Sequence, residues 1–262
     1  MPKKPVQEAI AAWQSQQITG AQLMRRLLSY REWLVPVSRV AEGEPTGSEG
    51  VRLRYSEDPG GIRRFYLFSD ADAYAAFCQA TGESPSGALL LTADGAWAIN
   101  ALPLDQFDYV EIDPASPWRL SYGKQSFPAL AAMAQAVQVE QALVALRAGE
   151  EVPNAFSLVL DYPHYLVVLW TAEGRTFLAL APDDRDRRLL AIFTHRDAVE
   201  AFLEGESEDA KALLSMLELS GRDLFSRVAA MTALDGMVFN CRGPARPVAF
   251  ALPFAELVLE NG

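Results

Sequence analysis

The side chains able to do chemistry are few and scattered. The chain holds two histidines, His164 and His195, and two cysteines, Cys78 and Cys241. A zinc site needs such residues joined by further ligands at short spacing, and neither HxxxH nor CxxC occurs. A nucleophilic serine of the GxSxG kind needs a tight turn, and Gly82-Glu-Ser-Pro-Ser-Gly87 has a different spacing. No Walker A loop or GxGxxG is present, and Pro59-Gly60-Gly61 reads as a hairpin turn. Carboxylates cluster at Asp183-Asp184 and over Glu204–Asp209, in polar stretches that predict solvation and not acid–base work. His195 follows Thr194, the expected cap of a predicted helix, where the helix dipole disfavours an imidazolium. These residues point to no catalytic site, no metal and no cofactor.

A different pattern lies between Phe107 and Phe127. Tyr109, Trp118 and Tyr122 stand among Asp105, Asp108, Glu111 and Asp113. Aromatic rings in lysine-poor surroundings are the composition of a protein interface. The same rings could instead pack the two halves of the molecule together. Both readings stay open.

Charge narrows the partners. The net charge of −11 over 262 residues opposes nucleic acid and anionic membrane surfaces, and suits either plain solubility or a basic protein partner. No uninterrupted apolar run approaches the ~20 residues of a membrane helix. Met-Pro-Lys-Lys-Pro is followed by no apolar core of a secretory signal. Two distant cysteines fit a reducing compartment, so the expected location is the cytoplasm. Nothing in the sequence fixes an oligomeric state.

The elements that must hold these residues alternate in type. Val6, Ile10 and Trp13 predict one helix, and Thr19 with Gln22 opens a second as a capping box. Trp33–Val35, Val51–Tyr55, Arg64–Phe68, Ala88–Leu91, Trp97–Ile99 and Phe107–Asp113 read as strands, and Ala41–Gly50 as a loop. Ser69 with Asp72 is expected to cap a helix through Phe77, where Cys78 is a buried hydrophobe. A linker over Pro114–Pro128 precedes a helix from Ala129 to about Arg147, and Ser220 with Asp223 caps another.

Four ordered matches indicate a duplicated module. Tyr30–Val35 matches Tyr162–Val167, and Arg63-Arg64 leading to Phe68–Ala73 matches Arg187-Arg188 leading to Phe193–Ala198. Asp94-Gly95 with Asn100 matches Asp235-Gly236 with Asn240, and Leu102-Pro103-Leu104 matches Leu252-Pro253-Phe254. The fold expected is α/β (α+β): two similar modules, 1–125 and 126–262, each a small mixed sheet flanked by helices.

This order of elements resembles the bacterial SseB-like family, named for enhanced serine sensitivity. The likeness is clearest over Arg187–Glu260 and looser over Trp33–Phe107. Where that family often carries Asn-Pro-Gly, this chain has Asn240-Cys-Arg-Gly-Pro244. The resemblance implies an α/β fold and a cytoplasmic bacterial protein, and no catalytic residues. The resulting expectation is a non-catalytic binding or adaptor protein; the alternative is a small-molecule enzyme with a cleft between the modules.

Overall fold

A computed structural model of the chain describes residues 4–39, 51–181, 185–243 and 245–262. The predicted loop Ala41–Gly50 and the pair Asp183-Asp184 lie outside the described residues. The chain divides into two compact units, 1–134 and 135–262.

The first unit begins with helices α1 (Pro5–Gln14) and α2 (Gly20–Leu28). The Thr19–Gln22 capping box forms as expected, with Gln22 N–H donating to Thr19 Oγ1 at 3.2 Å and Thr19 N–H to Gln22 Oε1 at 3.0 Å. There follow β1 (Trp33–Arg39), β2 (Val51–Leu53), β3 (Tyr55–Glu57), β4 (Arg63–Leu67), α3 (Ala71–Thr81), β5 (Leu89–Ala93), α4 (Gly95–Ala101), β6 (Tyr109–Ile112) and β7 (Leu120–Gly123). Helix α5 (Phe127–Ala148) carries the chain into the second unit. That unit holds α6 (Ala155–Leu160), β8 (Tyr165–Ala172), β9 (Arg175–Leu178), β10 (Leu180–Ala181), β11 (Leu189–Phe193), α7 (Arg196–Phe202), α8 (Glu208–Lys211), β12 (Leu214–Leu219), α9 (Gly221–Ala229), β13 (Gly236–Phe239), β14 (Val248–Ala251) and α10 (Pro253–Asn261). The fold is α/β.

Both units pair their strands alike. The second runs β12-β8-β11-β13-β14, with β9 on β8 and β10 on β11. In the first, β5 and β2 flank β1, the bridge Leu34↔Phe68 joins β1 to β4, and β3-β4-β6-β7 completes the series. The central pairs β4–β6 and β11–β13 are parallel, and the other pairings are antiparallel. Registers correspond as well: Leu67 faces Ile112 where Ile192 faces Phe239, and Tyr55 faces Phe65 where Leu180 faces Leu190.

Two of the four sequence matches therefore join equivalent positions, and two do not. Tyr30–Val35 and Tyr162–Val167 lead into β1 and β8. Phe68–Ala73 and Phe193–Ala198 lead from β4 and β11 into α3 and α7. Asp94-Gly95, however, opens a helix, because Asp94 Oδ1 accepts the N–H groups of Ala96 and Trp97 at 3.0 and 3.2 Å. Trp97–Ile99 is thus helical, not a strand. Asp-Gly serves a turn and a helix start equally well. The counterpart of Asp235 is Asp108: each accepts a strand N–H, from Arg188 at 2.7 Å and from Arg63 at 2.9 Å. Leu102-Pro103 follows α4, whereas Leu252-Pro253 opens α10 with proline in its first turn. The stretch read as a linker contains strand β7.

Each unit fixes its first strand by the same close contacts. Trp33 Nε1 donates to Leu27 O, and Tyr165 OH to Val159 O, both at 2.9 Å. Gly95 N–H reaches Tyr30 O at 2.9 Å, and Gly221 N–H reaches Tyr162 O at 2.7 Å. A Cβ on Gly95 would lie 2.7 Å from Leu27 O, and one on Gly221 2.4 Å from Leu160 O. Glycine is required at both because backbone oxygens occupy the space. The second core is built on Tyr165, Phe225, Phe239, Phe250 and Phe254. Segment Lys124–Ala148 is long and apolar enough to cross a membrane, with mean hydropathy 1.4 in its most apolar window; half of that window is buried in the protein. Its glutamines interrupt the apolar run, so the sequence shows no continuous apolar stretch there.

Candidate functional site

In α/β sheets, ligands commonly meet the chain where parallel strands end. Here that place in each unit is filled by a polar lock. Asp113 follows β6 with φ 45° and is 1% exposed. Its Oδ1 accepts Ser69 N–H at 2.8 Å and its Oδ2 accepts the Ser69 hydroxyl at 2.6 Å. Asn240 follows β13 with φ 51°. Its Oδ1 accepts Thr194 N–H at 3.1 Å, and its Nδ2 donates to Glu140 Oε1 at 3.2 Å. The Thr194 hydroxyl also donates to Glu140. Asp and Asn take left-handed backbone more readily than other side-chain-bearing residues. The two tyrosines complete the lock, with Tyr30 OH donating to Ser69 O at 3.0 Å and Tyr162 OH donating to Thr194 O.

Ser69 and Thr194 are therefore not the helix caps. The caps stand one residue later. Asp70 Oδ1 accepts Ala73 N–H at 2.9 Å, and His195 Nδ1 accepts Asp197 N–H at 3.4 Å. The charges follow from these bonds. Burial pushes the Asp113 carboxyl up, although the two bonds from Ser69 pull the other way. Burial also works against the Asp70 carboxylate, but Lys4 at 2.8 Å and Ala73 N–H outweigh it and hold Asp70 low. Each buried oxygen already has its donors within the chain, so these groups bind the fold together.

The aromatic candidates divide. Tyr109 opens β6, is 36% exposed, and lies under the Arg64 guanidinium at 5.6 Å. Trp118 is half-buried, with its backbone N–H on Ser116 Oγ at 2.8 Å. Tyr122 sits beside Trp33, Leu67 and Leu130 around a cavity of about 10 Å³, barely the space of one water. Burial pushes its phenol up to about 12. The structure thus puts Tyr122 against the core and leaves Tyr109 at the surface. His164 pairs with Glu218 at 2.5 Å on the surface. Among the described residues, no group of three or more His, Cys, Asp or Glu is placed to hold a metal ion.

A surface feature missed in the sequence is the outer strand of each unit. β5 pairs only with β1, and β12 only with β8, among the described residues. Leu89, Leu90 and Leu91 are 44%, 36% and 39% exposed; Leu213, Met216 and Leu217 are 45%, 49% and 37%. Natural edge strands usually carry charge or proline, and β5 carries neither. Ahead of β12, Glu204, Glu206, Glu208 and Asp209 form an exposed acidic lip, with Lys211 on Glu208 at 3.0 Å. An unbroken leucine run gives no sign that both of its faces meet solvent. Set against family models, curated proteins and solved structures, the chain matches none.

Proposed function

We propose that this chain is a non-catalytic binding or adaptor protein of the cytoplasm, built from two copies of an SseB-like module. Its partner is a basic protein that adds an extended segment to the free edge of β12. The observation that carries this reading is the apolar edge strand Leu214–Leu219 beside the acidic lip 204–209. An edge offers a row of backbone donors and acceptors, and side chains on one face of an added strand would cover Met216 while those on the other face would cover Leu217. The lip, with the net charge of −11, selects basic residues at the end of that segment. A second copy of this chain would instead bring like charges together.

The test uses a fluorescein-labelled peptide of alternating valine and threonine followed by three lysines, titrated into the full chain. Saturable anisotropy that Leu217→Lys weakens by at least about tenfold supports the reading. Equal binding by the variant, or by a proline-interrupted peptide of equal charge, overturns it. So does self-association of the chain without peptide binding.

A further inference from the structure

The correspondence between the units shows where the first differs chemically from the second. Four neighbouring positions are polar in the first unit: Arg54, Ser56, Tyr66 and Tyr74. Their counterparts are Ala179, Ala181, Ala191 and Val199. The equivalence rests on matched bonds and registers. Arg54 N–H donates to Pro36 O where Ala179 N–H donates to Val168 O, both at 2.9 Å. Ser56 faces Arg64 where Ala181 faces Leu189, and Tyr66 faces Glu111 where Ala191 faces Val238. Tyr74 stands four residues after the cap Asp70, as Val199 does after His195. In the first unit these four side chains, with Glu83 and Phe77, surround a cavity of about 30 Å³.

We propose that this cavity is a binding site for a small carboxylate group. Its walls are rich in donors. The Arg54 guanidinium donates to Gly87 O at 3.0 Å and lies 3.5 Å from the Glu83 carboxylate, so it already holds one carboxylate at the rim. Its planar fork is suited to a second. Ser56 Oγ and Tyr66 OH share one hydrogen bond of 2.5 Å; two hydroxyls have two protons, so one O–H stays available. Tyr74 is 4% exposed, and no described residue gives its hydroxyl a hydrogen bond of good geometry. Burial, with the Cys78 thiol beside it, pushes the Tyr74 phenol up to about 12, which keeps it a donor at neutral pH. A buried donor left with only a thiol, a weak acceptor, is costly, and a ligand oxygen that reaches it would relieve that cost. The volume admits roughly two water-sized atoms, as the two oxygens of a carboxylate require.

The experiment is an amide NMR titration of the ¹⁵N-labelled full chain with sodium acetate, with inorganic phosphate and with sodium chloride at matched ionic strength. Saturable shifts confined to acetate, and centred on residues 54–56, 66, 74 and 83, are expected. Tyr74→Phe, which keeps the ring and removes the donor, should weaken binding about tenfold. Glu83→Gln should tighten it, because it frees Arg54 of its internal carboxylate, and this rim variant does not depend on the fold tolerating a core change. Shifts that grow linearly and are matched by chloride overturn the proposal, as does saturation by phosphate alone. Wild-type affinity in Tyr74→Phe, or weaker binding in Glu83→Gln, also overturns it.

Discussion

Asp113 and Asn240 occupy one position in two sheets, each in left-handed backbone and each accepting the N–H of the hydroxyl residue that follows the neighbouring parallel strand. One is a carboxylate and the other an amide. The same geometry is therefore held once with a titrating group and once without.

Replacing Asp113 separates the bonds from the charge. Asp113→Ala leaves the Ser69 N–H without its acceptor and the Ser69 hydroxyl with only Asp70 Oδ2 at 3.3 Å, and should cost about 2–3 kcal/mol. Asp113→Asn keeps an acceptor for the N–H and should change stability by less than about 1 kcal/mol. Urea unfolding at neutral pH reads both; equal stability of the two variants would mean that the lock adds nothing to the fold.

The pH dependence has a definite sign. Burial raises the Asp113 carboxyl in the folded chain. Its contribution to stability is complete below the unfolded aspartate range, about pH 4, and is lost as pH rises through the raised value. Asp70, held low, contributes above that range and loses its contribution as pH falls. The stability of Asp113→Asn relative to the parent chain should therefore increase from acidic toward neutral pH and then level off. Chemical denaturation at a series of pH values measures it, and a difference independent of pH would contradict it.

Gly95→Ala and Gly221→Ala test the close approach that both units share. Each added Cβ meets backbone oxygen, at 2.7 Å and 2.4 Å, and backbone cannot swing aside. Each should cost at least about 2 kcal/mol, with Gly221→Ala the more severe. Calorimetric unfolding would show the loss, and a variant melting with the parent chain would show that α4 can move off α2, or α9 off α6, freely.

Leu90→Lys and Leu217→Lys place charge on the two open edges. Both leucines are at least a third exposed, so the change in stability should stay within about 0.5 kcal/mol. Aggregation on heating should fall, because a charged edge resists pairing with another chain. Light scattering during a thermal ramp reads this, and a large loss of stability would mean that the edges are covered.

The helices with caps and the strands with alternating residues are legible in the sequence. Thr19, Ser220 and the Pro59–Gly61 turn are readable because their local chemistry is left unaltered by tertiary contacts. Asp94-Gly95 misleads because its side chain can close a turn or start a helix, and only the Tyr30 carbonyl waiting for Gly95 N–H decides between them. The pair of locks is hidden because Asp113 and Asn240 differ in type and their partners lie 44 and 46 residues away. The polar cavity is hidden for a related reason. Arg54, Ser56, Tyr66 and Tyr74 look ordinary until they are set beside three alanines and a valine.

Helix α5 has a practical consequence for dissecting the molecule. The division at 134/135 falls within its 22 residues. Leu130 belongs to the wall beside Trp33, and Glu140 to the lock around Asn240. Cutting between them would strand unpaired backbone groups at both new ends. A fragment that ends inside the helix therefore loses pairing that the uncut helix keeps, so a boundary for either half belongs outside residues 127–148.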